Sequence, residues 1–143
     1  MKNLNPGDII FTDRIFYKHY GVYAGEDRVI HYSSSNGDFG LDACVRETSL
    51  EQFARGGYCN IVEFTEKSDQ KRLFSKEETM KRASSRLGEK QYNLIFNNCE
   101  HFAIWCKTGE NKSFQVEKAV TAAVLLGATI IVTKLIADLY EET

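Results

Sequence analysis

Short apolar runs separated by turn-forming residues dominate the first half of the chain, and this pattern predicts a sheet of short strands. The strands are predicted at residues 9–11, 16–24, 28–33, 44–48 and 58–64. A turn with the sequence Asn5-Pro6-Gly7-Asp8 opens the first strand, and a turn signal at 25–27 separates the second strand from the third. The second and third strands are therefore expected to form a hairpin.

Helix-capping sequences follow the strands and predict three helices. Ser49 with Gln52 predicts a short helix that ends at glycines 56–57. Ser75 with Glu78 predicts a second helix that runs to about residue 87. An Asn-Asn pair at 97–98 predicts the start of a third helix and places Cys99 in its first turn. The pattern therefore predicts short strands followed by helices.

The C-terminal part differs from the rest, because residues 119–133 (AVTAAVLLGATIIVT) contain no charged side chain. As a helix these 15 residues span about 22 Å, less than the roughly 30 Å of a bilayer core. Extension to residue 137 gives about 28 Å if Lys134 reaches the interface. A small-residue repeat at 119, 123 and 127 favours self-association. The segment is interpreted as a membrane anchor, with an apolar helix docked on the domain as the alternative.

Charge supports a division of the chain into residues 1–118, a domain, and residues 119–143, an apolar membrane-anchor segment. The net charge of −2 comes wholly from the second part, since the first is charge-balanced. No basic excess of the kind that nucleic-acid-binding proteins carry is present, so nucleic acid is not an expected partner. Residues 1–8 do not resemble a secretory signal, so the domain is expected in the cytosol with its four cysteines reduced.

Cys99 is the first candidate for chemistry. The first turn of a helix carries partial positive charge and free N–H groups, which favour a thiolate and stabilise an oxyanion. The alternative is a buried and inert cysteine in an apolar helix. A metal site is less consistent with the sequence, because the histidines and cysteines do not form pairs with recognisable ligand spacing.

A nucleophilic cysteine needs a base, and two histidines on the predicted hairpin are better placed than the nearby His101. Two helical positions turn His101 away from Cys99. His19 and His31 share one face of the sheet if the turn between their strands is odd in length, which pairs Gly21 with His31. An even turn without a bulge puts them on opposite faces. The alternative is two histidines whose hydrogen bonds serve the strands alone.

These residues resemble a known family. The strings Tyr17-Lys18-His19-Tyr20-Gly21-Val22-Tyr23, Val29-Ile30-His31 and Asn98-Cys99-Glu100-His101-Phe102 resemble the lecithin:retinol acyltransferase-like family. The likeness is closer to its phospholipase A/acyltransferase branch, the HRAS-like suppressors, and it runs from about Pro6 to the apolar tail. Tyr20 departs from the pattern, since relatives usually carry Trp there. The extra segment of retinol-specific relatives is absent, which makes retinol esterification less expected.

The resemblance implies the fold class α+β: a circularly permuted papain-like (NlpC-type) fold with a small antiparallel sheet packed on helices, to which the C-terminal apolar helix is added. It implies Cys99 as nucleophile, His19 as base, His31 as third member and Tyr17 in the oxyanion hole, with no metal and no cofactor. The implied substrates are glycerophospholipids, phosphatidylcholine and phosphatidylethanolamine. Cleavage through a Cys thioester gives phospholipase A1/A2 activity, and transfer to the amine of phosphatidylethanolamine gives an N-acyl product. The implied location is the cytoplasmic face of intracellular membranes.

Two other functions fit the same residues. One is a membrane-associated adaptor that keeps the fold without catalysis. The other is a thiol peptidase or amidase of the same broad superfamily. The apolar tail favours a lipid over a peptide, because it holds the site at a lipid surface.

Overall fold

The computed structural model describes residues 3–38, 40–64, 73–90 and 98–110, which form five strands and three helices. The strands are β1 (Ile9–Asp13), β2 (Lys18–Gly25), β3 (Arg28–Ser33), β4 (Cys44–Ser49) and β5 (Cys59–Ile61). The helices are α1 (Leu50–Ala54), α2 (Lys76–Ser85) and α3 (Asn98–Thr108). The prediction of a mixed α and β fold with a small sheet and helices is confirmed.

All neighbouring strands of the sheet are antiparallel, in the order β4-β3-β2-β1-β5. The end of β1, the starts of β2, β4 and β5, and the end of β3 therefore lie at one edge of the sheet. We call this edge the loop edge, because it carries the connections at 14–17, 34–43 and 55–58. His19 lies one residue inside it.

The predicted capping residues Ser49 and Ser75 both form hydrogen bonds at the start of a helix. Ser49 accepts a hydrogen bond from the Gln52 N–H, and the Gln52 side chain accepts one from the Ser49 N–H, which completes a capping box for α1. Ser75 accepts a hydrogen bond from the Glu78 N–H and begins α2. This helix ends at Ser85, two residues before the predicted end, and Leu87 is exposed.

The two faces of the sheet are covered by different helices. On one face, α2 and α3 bury an apolar cluster that includes Val22, Ile30, Phe102 and Ala103. On the other face, α1 contributes Phe53 to a smaller cluster. Side chains alternate between faces along each strand, so neighbours in β2 and β3 belong to different clusters.

One irregularity in the β2–β3 hairpin decides which side chains share a face. The turn at Glu26 and Asp27 has two residues, both with positive φ, as in a type I′ turn. The register shifts between Tyr23 and Gly25, so Ala24 is an extra residue and forms a β-bulge. The turn is thus even, yet the bulge restores the pairing of Gly21 with His31. The predicted register is confirmed through a bulge and not through an odd turn.

The turn before β1 packs tightly against both the sheet and α2. Gly7 donates a hydrogen bond to the Tyr23 carbonyl, and its φ is 93°. A Cβ on Gly7 would lie 2.3 Å from the Lys76 carbonyl oxygen, so a side chain cannot fit there. Asp8 pairs with the Lys76 ammonium at 3.0 Å.

The predicted apolar tail at residues 119–143 lies outside the described residues. Among the helices that the structure does describe, none is long and apolar enough to cross a membrane. The anchor interpretation therefore stays a prediction.

Candidate active site

The sheet brings His19 and His31 into direct contact on the face covered by α1. His19 Nε2 lies 2.8 Å from His31 Nδ1, and the ring centroids are 5.0 Å apart in an edge-to-face arrangement. Both rings are buried. Contact at this distance requires a hydrogen bond between the two nitrogens, so each ring restrains the other.

Phe53 of α1 covers both imidazoles. Its ring centroid lies 5.1 Å from that of His19 and 5.1 Å from that of His31. Gly21 makes this approach possible, because a Cβ there would lie 2.9 Å from the Phe53 ring and 3.1 Å from His31 Cβ. The helix and the glycine together exclude water from the histidine pair.

The second nitrogen of His31 contacts β4. His31 Nε2 lies 2.8 Å from Thr48 Oγ1, and this hydroxyl donates a hydrogen bond to the Ser49 carbonyl at 3.1 Å. Sequence reasoning did not single out Thr48, because its place in a strand carries no chemical signature.

Asp38 is a second functional candidate that sequence reasoning missed. Its carboxylate is buried at the loop edge, 3.4 Å from His19 Nε2. Arg14 donates to it through Nε at 2.8 Å, and Arg55 donates to it through a guanidinium nitrogen at 3.1 Å. Asp38 lies in a serine- and glycine-rich loop that predicted only a turn. The one available signal was an acidic residue a few positions after His31.

The charges around Asp38 bind the three loops of the edge together. Arg14 belongs to the first loop and Arg55 to the third, while Asp38 belongs to the second. Arg14 also donates to the Phe53 carbonyl at 2.8 Å, which connects the cluster to α1. The pKa of Asp38 is lowered to about 2: burial opposes this shift, and the hydrogen bond from Arg14 and the neighbouring His19 outweigh it. The carboxylate is therefore ionised at neutral pH.

Tyr17, which the resemblance assigned to an oxyanion hole, contacts the same carboxylate. Its hydroxyl donates a hydrogen bond to Asp38 Oδ2. Burial and this bond raise the pKa of Tyr17 above its ordinary value, with a smaller effect from Cys99. The structure thus connects Tyr17 to His19 through Asp38, and its role in an oxyanion hole stays a prediction.

Cys99 lies in the first turn of α3, as predicted, and is buried against the opposite face of the sheet. Its sulfur accepts hydrogen bonds from the backbone N–H groups of Tyr20 and Glu100. Tyr20 directly follows His19, so the sulfur reaches the backbone of β2 at the site of the first histidine. The paired residues of β2 and β3 begin at Gly21 and His31, and Tyr20 lies beyond them. The backbone N–H of Tyr20 is therefore not used in the pairing with β3 and donates its hydrogen bond to the Cys99 sulfur.

The expected thiolate is not what the structure shows. Burial raises the pKa of Cys99 to about 12, and the two N–H donors only partly offset it. The prediction of a lowered pKa at the helix start is wrong, because desolvation of a fully enclosed sulfur exceeds the helix-end stabilisation. The resting group is a neutral thiol.

Both histidines of the pair are neutral as well. Burial lowers the pKa of His31 to about 4. Burial, followed by the neighbouring His31, lowers the pKa of His19 well below its ordinary value. Both imidazoles are therefore uncharged at neutral pH, as is the thiol of Cys99.

The remaining candidates do not join this arrangement. His101 is half-buried on α3, and burial lowers its pKa. The four cysteines are all free thiols. Within the described ranges, no group of three or more His, Cys, Asp or Glu side chains is placed to hold a metal ion.

A small antiparallel sheet with a buried histidine pair on one face, and a helix that starts with a cysteine on the other, define a mixed α/β domain of the lecithin retinol acyltransferase type. The chain belongs to this family, since the family model described as lecithin retinol acyltransferase matches residues 2–112. The family resemblance inferred from the sequence motifs is confirmed.

Curated relatives of this chain carry two kinds of name, lecithin retinol acyltransferase and phospholipase A and acyltransferase. Lecithin retinol acyltransferase from Bos taurus is 32% identical over 134 residues, which cover 78% of this chain and 58% of the relative. Phospholipase A and acyltransferase 4 from Homo sapiens is 29% identical over 141 residues, which cover 88% of this chain and 85% of the relative. Phospholipase A and acyltransferase 1 from Homo sapiens is 28% identical, with 87% and 80% covered. The chain thus spans 58% of the length of that retinol acyltransferase and most of the other two.

Proposed function

We propose that this protein cleaves an ester bond of a glycerophospholipid and carries the acyl group as a thioester on Cys99. Release to water gives phospholipase A1/A2 activity. Release to the amine of phosphatidylethanolamine gives N-acyltransferase activity. Family membership supports the reaction class, and the names of the relatives support a lipid ester as donor.

One observation carries the proposal above all. The Cys99 sulfur accepts a hydrogen bond from the N–H of Tyr20, the residue next to His19, whose imidazole is held by His31 at 2.8 Å. The proposed nucleophile therefore contacts the backbone of β2 one residue after the proposed base, and a second histidine holds that base in place. A nucleophile, a base and a group that orients the base are the recurrent requirement for thiol acyl transfer.

In the first half-reaction the Cys99 sulfur attacks the ester carbonyl carbon while its proton passes to His19. The tetrahedral intermediate collapses as the carbon–oxygen bond to glycerol breaks. His19 returns the proton to that oxygen, which releases the lysophospholipid and leaves the thioester. Because thiol and imidazole are both neutral at rest, proton transfer and attack occur together.

In the second half-reaction water or the amine attacks the thioester carbonyl carbon. His19 takes the proton of the attacking group, the carbon–sulfur bond breaks, and the thiol of Cys99 is regenerated. The carboxylate of Asp38, 3.4 Å from His19 Nε2, stabilises the positive charge that His19 carries in each step. The N-terminal N–H groups of α3 and the hydroxyl of Tyr17 are the proposed donors to the oxyanion.

A lipid surface is the favoured location because the loop edge exposes large apolar side chains next to the histidines. Ile15, Phe16, Leu41 and Tyr58 are each at least 90% exposed, and they come from all three loops of the edge. Arg46 and Arg55 are partly exposed at the same edge, where they pair with Asp42 and Asp38. A cluster of exposed apolar side chains favours a phospholipid interface over a peptide groove. Residues 119–143 are proposed as a further membrane attachment of domain 1–118.

The deciding experiment incubates the protein with phosphatidylcholine vesicles that carry a labelled acyl chain. We expect an adduct that hydroxylamine removes, together with release of labelled fatty acid. Cys99→Ala abolishes both, while Cys106→Ala, seven residues along the same helix, retains them. Absence of adduct and of fatty acid with wild-type protein would leave the adaptor function, and cleavage of peptide amides alone would leave the peptidase.

The loop edge is tested with the same vesicles. The double variant Ile15→Asp and Phe16→Asp is expected to lower vesicle binding in co-sedimentation by roughly tenfold, since two exposed apolar side chains no longer enter the interface. Lys81→Glu, an exposed position on α2, changes the net charge by the same amount and serves as control. Equal loss in both variants would show that charge, and not the apolar edge, governs binding.

A further inference from the structure

The hydroxyl of Thr48 has one proton, and its two contacts decide where that proton goes. The Ser49 carbonyl oxygen, 3.1 Å away, can only accept a hydrogen bond. The proton of Thr48 is therefore directed to Ser49. His31 Nε2, 2.8 Å from the same hydroxyl oxygen, must then be the donor in that contact. His31 carries its proton on Nε2 and presents a lone pair on Nδ1.

The position of the proton on His31 determines the position of the proton on His19. His31 Nδ1 lies 2.8 Å from His19 Nε2, and a lone pair at the first nitrogen requires a proton at the second. Asp38 supports the same assignment, because an ionised carboxylate 3.4 Å from His19 Nε2 favours a proton on that nitrogen. A neutral imidazole holds one proton, so His19 Nδ1 is left with a lone pair.

The remaining nitrogen is free for chemistry. His19 Nδ1 is buried and makes no hydrogen bond in the described part of the chain. Burial of a protonated nitrogen without an acceptor is costly, and a lone pair is the less costly state there. Nδ1 is therefore the basic nitrogen of His19.

We propose that Thr48 is a positioning residue that sets the tautomers of both histidines and so directs the basic nitrogen of His19 away from the pair. Its action runs through His31 and does not require contact with substrate. The catalytic consequence rests on the proposed function, while the tautomers themselves are a property of the protein without substrate.

The tautomers are measured by long-range proton–nitrogen correlation NMR on protein labelled with ¹⁵N-histidine near pH 7.5. We expect His19 and His31 both to show a protonated Nε2 and an unprotonated Nδ1. His101→Gln removes the signals of the third histidine and completes their assignment. A protonated Nδ1 on His19 in the wild-type protein would overturn the inference, whatever the fate of the variants.

Two substitutions separate the hydroxyl from the shape of the side chain. Thr48→Val keeps the shape and removes the hydroxyl, and we expect mixed tautomers at His31 with a fall in kcat of roughly tenfold and little change in KM. Thr48→Ser keeps the hydroxyl and restores the wild-type tautomers and most of kcat. Wild-type spectra in Thr48→Val would overturn the inference. If wild-type protein forms no acyl adduct but shows the expected tautomers, the proposed function fails and the role of Thr48 in positioning the rings stands.

Discussion

The two faces of the sheet are formed by the same strands but bury different kinds of side chain. The face under α2 and α3 is a dry apolar core in which Val22, Ile30 and Phe102 pack together. The face under α1 buries polar groups, His19 and His31, beneath a single phenylalanine. Cys99 packs against the face under α2 and α3, and its sulfur approaches the histidines only by contacting the backbone of β2. The proposed reactive centre lies where the ladder between β2 and β3 stops, since the Cys99 sulfur contacts the backbone there one residue after His19.

Adjacent positions in β2 test this difference between the faces most directly. His19→Ala is expected to lower acyl transfer by roughly 100-fold or more, the usual scale for loss of a general base. Tyr20→Phe, the neighbouring residue on the other face, removes only a hydroxyl that interacts with Glu100 and is expected to keep activity within about threefold. Initial rates on labelled phosphatidylcholine measure both. Full activity in His19→Ala would remove the assignment of this residue as base.

Gly21→Ala tests the packing of the polar face, the face under α1 that buries the two histidines. The new methyl group would lie 2.7 Å from Val29 Cγ1 and 2.9 Å from the Phe53 ring, so α1 must shift outward. We expect a loss of about 1–3 kcal/mol in the free energy of unfolding, the usual cost of overpacking. Urea unfolding followed by tryptophan fluorescence gives this value. Ala103→Gly on α3 provides the comparison for the apolar face, at about 1 kcal/mol. Unchanged stability in Gly21→Ala would show that α1 is not held tightly over the histidines.

Acid should weaken the polar face selectively. Burial lowers the pKa of His31 to about 4 in the folded protein, against about 6.5 when unfolded, so the unfolded chain binds more protons between these values. Stability is therefore full above about pH 6.5 and falls as the pH is lowered toward 4, by about 2 kcal/mol from His31 alone at pH 5. Asp38, with its pKa lowered to about 2, adds a further loss below about pH 4. Urea unfolding at pH 7.5 and pH 5 measures the change.

His31→Gln is the control for this pH dependence, because it removes a titrating group and retains a polar side chain. The difference in unfolding free energy between the two pH values should shrink by about 2 kcal/mol. An unchanged difference would show that His31 is protonated in the folded protein near pH 5.

The smallest expected effect concerns the thiol itself. Since the pKa of Cys99 is raised to about 12, the difference in absorbance at 240 nm between wild type and Cys99→Ala should show no thiolate step from pH 5 to pH 9. A thiolate step below pH 7 would mean that the resting site is an ion pair. It would support the lowered pKa of Cys99 that its position in the first turn of a helix predicts.

Local patterns determined much of this protein. Apolar periodicity and turn residues located the strands, and the capping sequences at Ser49 and Ser75 located two helix starts. An Asn-Cys sequence before an apolar run placed Cys99 in a first turn, and the motifs around His19 and Cys99 identified the family. These features depend on interactions within a few residues, which a linear pattern records.

Tertiary structure alone decided how the site is built. The bulge at Ala24 put the two histidines on one face, although an even turn by itself separates them. Asp38 and Thr48 joined the site through contacts over 19 and 17 positions in the chain. Burial reversed the expected pKa shift of Cys99. Each of these depends on register, on enclosure by a distant helix or on contacts between loops, and none leaves a periodic trace in the sequence, because packing brings the partners together only after the sheet has formed.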